Sequence, residues 1–183
     1  MKPIIWFTVA VLMAGKAVCQ IPADVKGWGK IEWGMTVQQA KTAYGAQAED
    51  SSLEPAPAPY PIDRFTVRGI QIAEFRAIAY VQTKRDSDKV SSVVVEIGSQ
   101  QDGPRVRSAH FDTAKKLLIE KYGQPKSEDR KLDGDRVNSQ VIWTFPSTSI
   151  TLQWVEQQGQ AAFPLGYARI NYEAVDKKSL DAL

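Results

Sequence analysis

Apolar and polar residues alternate over several short runs of this chain, and a period of two predicts strands with one buried face. Val141, Trp143 and Phe145 alternate with Gln140, Ile142 and Thr144, and Ile150, Leu152 and Trp154 alternate with Ser149, Thr151 and Gln153. Earlier in the chain Phe75, Ala77, Ala79 and Val81 alternate with Glu74, Arg76, Ile78, Tyr80 and Gln82. Further stretches at 64–67, 90–97 and 167–172 have strand composition. The turns between strands are marked by Arg85-Asp86-Ser87-Asp88, by Pro146-Ser147 and by a loop holding Gly159 and Pro164.

Two segments carry the helical period instead. Thr36-Val37-Gln38-Gln39 is a capping box, in which the Thr36 hydroxyl and the Gln39 side chain satisfy free backbone groups of the first turn. Val37, Ala40 and Tyr44 follow at helical spacing, and Gly45 ends the helix after about two and a half turns. The second segment opens at Asp102-Gly103-Pro104, where proline suits the first turn. Phe111, Ala114, Leu118 and Tyr122, joined by Leu117, make its apolar stripe. It closes at Tyr122-Gly123-Gln124-Pro125. Both helices therefore end in Tyr-Gly, and each is followed by about three strands. The pattern predicts an α+β fold, a duplicated helix-plus-antiparallel-strands module with the helices packed on one face of an antiparallel sheet. The halves are 20–101 and 102–183, within one compact domain.

Alternation also sorts the side chains by face. If Phe75, Ala77, Ala79 and Val81 lie under the helices, the opposite face carries Arg76, Ile78, Tyr80, Thr151, Gln153, Tyr167, Arg169 and Asn171. Tyrosine and arginine offer large contact area and several hydrogen-bond donors, which makes Arg76, Ile78, Tyr80, Tyr167 and Arg169 the candidate protein-binding residues. The alternative is a half-polar sheet face that is simply solvated.

Composition narrows the chemistry. The chain has 183 residues, 43% of them apolar, which suits a folded globule. Its single cysteine excludes an internal disulfide or a cysteine-built zinc site, and its single histidine excludes a multi-histidine metal site. Lys+Arg number 23 against 21 acidic residues, a balance with no electrostatic footprint for nucleic acid. Lys2 followed by the uncharged run Ile4–Ala14 matches a secretory signal and is too short to span a bilayer. Residues 1–19 are therefore read as a signal peptide, with a cut after Cys19, or after Ala17 as the alternative. Lipidation at Cys19 is a third possibility, against which Lys16 and Val18 speak. Lys2 and Lys16 account for the whole +2 excess, so the exported chain is formally neutral. The expected location is periplasmic or secreted, with no membrane span after cleavage.

The search for catalytic motifs returns little. No Gly-x-Ser-x-Gly, phosphate-cradling glycine loop or His-Glu-x-x-His is present. Asp86-Ser87-Asp88 and Asp133-Gly134-Asp135 lack the ligand series calcium needs, are flanked by basic residues, and read better as hairpin turns. The alternative function is an envelope hydrolase using His110, on the second helix beside Phe111, or a carboxylate in a cleft; the plainer reading of His110 is a structural helix residue. Glu54-Pro55-Ala56-Pro57-Ala58-Pro59-Tyr60-Pro61 should be extended and stiff, as a connecting loop or a docking arm. No cofactor is expected.

Trp33-Gly34-Met35-Thr36, with Ala40 and Tyr44-Gly45 behind it, resembles the entry of small exported bacterial proteins of the SmpA/BamE type, which belong to the outer-membrane assembly machinery. The expected duplicated arrangement also resembles the β-lactamase-inhibitor-protein fold, which binds a partner on its sheet. The resemblances bear on the fold; the tyrosine and arginine content of the face and the scarcity of reactive residues favour a non-catalytic envelope protein that binds another protein or a peptide through its open sheet face. Sequencing the mature N-terminus of exported protein is expected to begin at Gln20, and an intact Met1 would contradict the signal reading.

Overall fold

The structure, a computed structural model, describes residues 21–51, 57–98, 104–134, 136–157 and 166–175. The signal segment, the start of the proline-rich stretch through residue 56 and the loop at 159–164 lie outside the described residues, as do Asp102 and Gly103; Pro57 to Tyr60 form a turn, closed by the Tyr60 amide on the Pro57 carbonyl at 3.2 Å, and are not extended as expected. In chain order the elements are β1 (Gly27–Trp28), β2 (Ile31–Glu32), α1 (Val37–Tyr44), β3 (Ala48–Asp50), β4 (Ile62–Ile72), β5 (Phe75–Thr83) and β6 (Val90–Ile97). Then follow α2 (Pro104–Tyr122), β7 (Ser127–Asp133), β8 (Arg136–Thr144), β9 (Thr148–Gln157) and β10 (Gly166–Ala174).

The expectation of an α+β fold built from a duplicated helix-plus-strands module is corrected here. Among the described residues the chain is mostly β: one eight-stranded antiparallel sheet in the order β3-β4-β5-β6-β10-β9-β8-β7, and a two-stranded ribbon of β1 and β2. Only two α-helices accompany it, and α1 has eight residues. The strand content was underestimated for two physical reasons. Edge strands are held by backbone hydrogen bonds more than by burial, so β3 and the fully exposed β7 show no apolar alternation to read. In β4 a bulge breaks the alternation, because Val67 pairs with Ala79 and Ile70 with Ala77, one extra residue on the β4 side. Gly69 takes up that residue at φ 73°, a conformation that favours glycine. The strand therefore runs to Ile72 instead of ending at Val67.

The core lies on one face of the large sheet, in rows that cross it. Phe65, Val81, Val93, Tyr172, Ile150 and Trp143 form one row, and Val67, Ala79, Val95, Ile170, Leu152 and Val141 the next. All twelve are buried, each large aliphatic one contributing about 1.5–3 kcal/mol. From α2, Ala114, Leu118 and Tyr122 join them, whereas Leu117 is exposed. α2 ends as expected, with Gly123 at φ 81°. The Gly123 carbonyl accepts a hydrogen bond from Trp143 Nε1 at 2.8 Å. From α1 only Ala40 is buried, and the capping box at Thr36 and Gln39 is complete.

The segment before α1 is strapped to the β8–β9 turn. The Asp24 carboxylate accepts from Ser147 N at 2.9 Å and from Ser147 Oγ at 2.8 Å. Thr148, fully buried, donates to the Val25 carbonyl and accepts from Trp33 Nε1 at 2.6 Å. Farther along, Gly34 N and Met35 O bond to Val90, and Thr36 bridges Lys89, so the entry to α1 is held against the start of β6. In the ribbon, a Cβ at Gly27 would sit 1.9 Å from the Ile31 carbonyl oxygen, so only glycine fits there.

The Ser147 hydroxyl, ahead of the Ser147 and Val25 amides and of Lys26, holds the Asp24 carboxyl below its ordinary value of 3.8. A depressed carboxyl stabilises the fold above its unfolded pKa, and that stabilisation is lost as pH falls through the lower folded value. Asp24→Ala should therefore lower Tm at neutral pH, with the gap to wild type closing as pH falls through the lowered folded value. A gap independent of pH would contradict the strap.

Candidate functional site

The large sheet has a second face, and the β6–β10 register decides what stands on it. Ala77, Ala79 and Val81 point to the core, so Arg76, Ile78, Tyr80 and Gln82 of β5 point the other way. Likewise Tyr167, Arg169 and Asn171 of β10 and Thr151 and Gln153 of β9 alternate with the buried Ala168, Ile170, Leu152 and Trp154. All eight residues sorted onto one face by alternation therefore share it.

Between them runs β6, which sequence reasoning left unsorted. Val94 lies between Tyr80 and Asn171, and Glu96 lies between Ile78 and Arg169. Val90–Ile97 is nearly all apolar or small, so it has no alternation to read, as is usual for a strand in the middle of a sheet. Glu96 is the residue of this face that the reading missed. It hydrogen-bonds the Tyr80 hydroxyl from the diagonal position and faces Arg169 across the strand pair. Arg68, beyond the expected end of its strand, was missed for a different reason, the bulge at Gly69.

The face is internally organised. Arg169 Nε donates to Gln153 Oε1 at 2.9 Å, and its guanidinium lies 4.9 Å from the centre of the Tyr167 ring. Such a stacked and bonded arginine has already lost much of its rotamer freedom. Gln82 Nε2 donates to Asp63 at 2.9 Å, and Ser92 donates to Gln82 Oε1 at 2.9 Å. Tyr167 is 40% exposed and Arg76 is exposed, while Ile78, Tyr80 and Arg169 are half-buried. Asn171 Oδ1 is enclosed without a hydrogen-bond partner among the described residues.

The other candidates fall outside this face. His110 is buried to 1% exposure, its ring 4.2 Å from that of Phe75 in an edge contact. Asp86 and Asp88 sit in the turn between β5 and β6, and Gly134 turns the chain from β7 to β8 at φ 60°. Among the described residues no cluster of three His, Cys, Asp or Glu residues could hold a metal ion, and no helix is long and apolar enough to cross a membrane.

The geometry is that of an open antiparallel sheet face rich in tyrosine and arginine. Comparison with known protein families, with curated proteins and with solved structures finds no match to this chain.

Burial, followed by the charge and hydrogen bond of Glu96, raises the Tyr80 hydroxyl above its ordinary pKa of 10.0. Ultraviolet titration should show one tyrosine whose ionisation moves back towards the ordinary value in Glu96→Gln. An unchanged titration would remove the Tyr80–Glu96 contact from the face.

Proposed function

We propose that this is an exported, non-catalytic protein that recognises another envelope protein or a peptide through the sheet face bearing Arg76, Ile78, Tyr80, Tyr167 and Arg169. The observation that carries this reading is the convergence on one surface of two strands far apart in sequence. β5 supplies an arginine, an isoleucine and a tyrosine, and β10 supplies a tyrosine and an arginine. Tyrosine and arginine are the residue types that concentrate binding energy at protein interfaces. Here Tyr80 and Arg169 are already held by Glu96, Gln153 and Tyr167, which reduces the entropy that binding must remove.

Export is supported by the Lys2 and Ile4–Ala14 pattern. The Trp33-Gly34-Met35-Thr36 entry supports kinship with small exported envelope proteins of the SmpA/BamE type. A hydrolase using His110 gains no comparable support, because that side chain is enclosed against Phe75.

The double substitution Tyr80→Ala and Arg169→Ala should fold as wild type does, since neither side chain is in the core. It should lose the partners captured from a host envelope extract, by about 2 kcal/mol or roughly thirtyfold in affinity for each anchor residue. A double variant that retains every wild-type partner would sink this face as the binding surface.

A further inference from the structure

At one corner of the open face the β4 bulge and the end of β6 leave a hollow of about 510 Å³. Its lining includes Arg68, Ile70, Gln71, Arg76, Ile78 and Gly98. Two features of the backbone shape it. The bulge at Gly69 spends an extra residue opposite β5, and bulges of this kind re-aim the neighbouring side chain, here Arg68. Gly98, whose amide donates to the Arg76 carbonyl at 2.8 Å, follows Ile97 with no side chain of its own and at φ 84°. It stands one step beyond the Ile97–Ala168 pair, beside Tyr167, so the surface dips between Arg76 and that tyrosine.

The charges in the hollow are one-sided. Two guanidinium groups line it and no carboxylate does. Glu49 pairs with Arg68 through Nε, which leaves the two Nη groups without a partner among the described residues. The Arg76 guanidinium has no ion pair or side-chain hydrogen bond among the described residues. The open Nη edge of Arg68 and the unpaired guanidinium of Arg76 match carboxylate geometry, and Ile70 and Ile78 supply apolar wall beside them.

We propose that this hollow is a carboxylate-binding site that takes a carboxyl group on an apolar stem, with Arg76 and the Nη groups of Arg68 as donors. Either the C-terminus of an extended peptide or a glutamate side chain within it presents that chemistry. The proposal deepens the open-face reading and rests on it, because the same peptide would continue over Ile78 and Tyr80.

The test is a titration of the full ¹⁵N-labelled chain with three acetylated pentapeptides. One ends in leucine with a free carboxylate, the second is its amide, and the third is the amide with a glutamate at the fourth position. The free-carboxylate peptide should shift the Gly69 and Gly98 amides saturably, and Arg76→Gln should weaken that response at least about tenfold. A comparable response to the glutamate peptide supports the same site and assigns the side chain as a source of the carboxylate. An equal response to the plain amide overturns the proposal, as does no response at Gly69 and Gly98 to either acid. The two readings fail separately. Partner capture by wild type without any carboxylate response removes the hollow alone, whereas a carboxylate response together with full partner capture by the Tyr80/Arg169 double variant supports the hollow and removes the wider face.

Discussion

The pairing of β6 with β10 is the constraint on which the rest of this molecule depends. Among the described residues it is the only seam joining the strands that precede α2 to those that follow it in the large sheet. Six residue pairs form it, from Ala168 opposite Ile97 to Glu173 opposite Ser92. On the core side it sets Val93, Val95 and Ile97 against Tyr172, Ile170 and Ala168, all buried. On the other side it sets Glu96 against Arg169 and leaves only β6 and β10 between β5 and β9. A slip of one residue would turn every side chain of β10 to the wrong face, placing Ile170 in solvent and Arg169 in the core. The seam thus fixes the hydrophobic core and the polar face in the same step.

An open sheet also needs protected edges. β7 is seven residues long and fully exposed, and five of its seven side chains are charged. Glu128 pairs with Lys115 of α2 at 2.6 Å, and Asp129 pairs with Lys131 at 2.8 Å. A row of alternating charges discourages another strand from adding at that edge. The opposite edge, β3, is only three residues long, and Asp50 and Glu49 there are tied to Lys41 and Arg68. Both edges are blunted in this way, which leaves the face as the surface for the proposed recognition.

The parts of the fold legible in the sequence are those where one physical signal acts alone. β8 and β9 read correctly because each is buried on one face and solvated on the other, so alternation survives. α1 and the end of α2 read correctly because Thr36, Gln39, Gly45 and Gly123 serve as caps. The mostly-β character did not read, since β3 and β7 are built by backbone pairing and carry no apolar period. The second half of β4 did not read because the bulge at Gly69 shifts the phase of alternation within one strand. For the face, Arg76, Ile78, Tyr80, Tyr167 and Arg169 could be sorted by parity. Glu96 could not, because its strand has no apolar alternation to read, and its position follows only from which strand lies beside which.

Cross-linking from the face tests the central claim most directly. A photoreactive phenylalanine analogue in place of Ile78, in cells that export the protein, should yield a discrete adduct with an envelope protein on irradiation. The same analogue in place of Leu117, exposed on α2, should yield none. Equal adducts from both positions, or an adduct from Leu117 alone, would contradict recognition through the open sheet face.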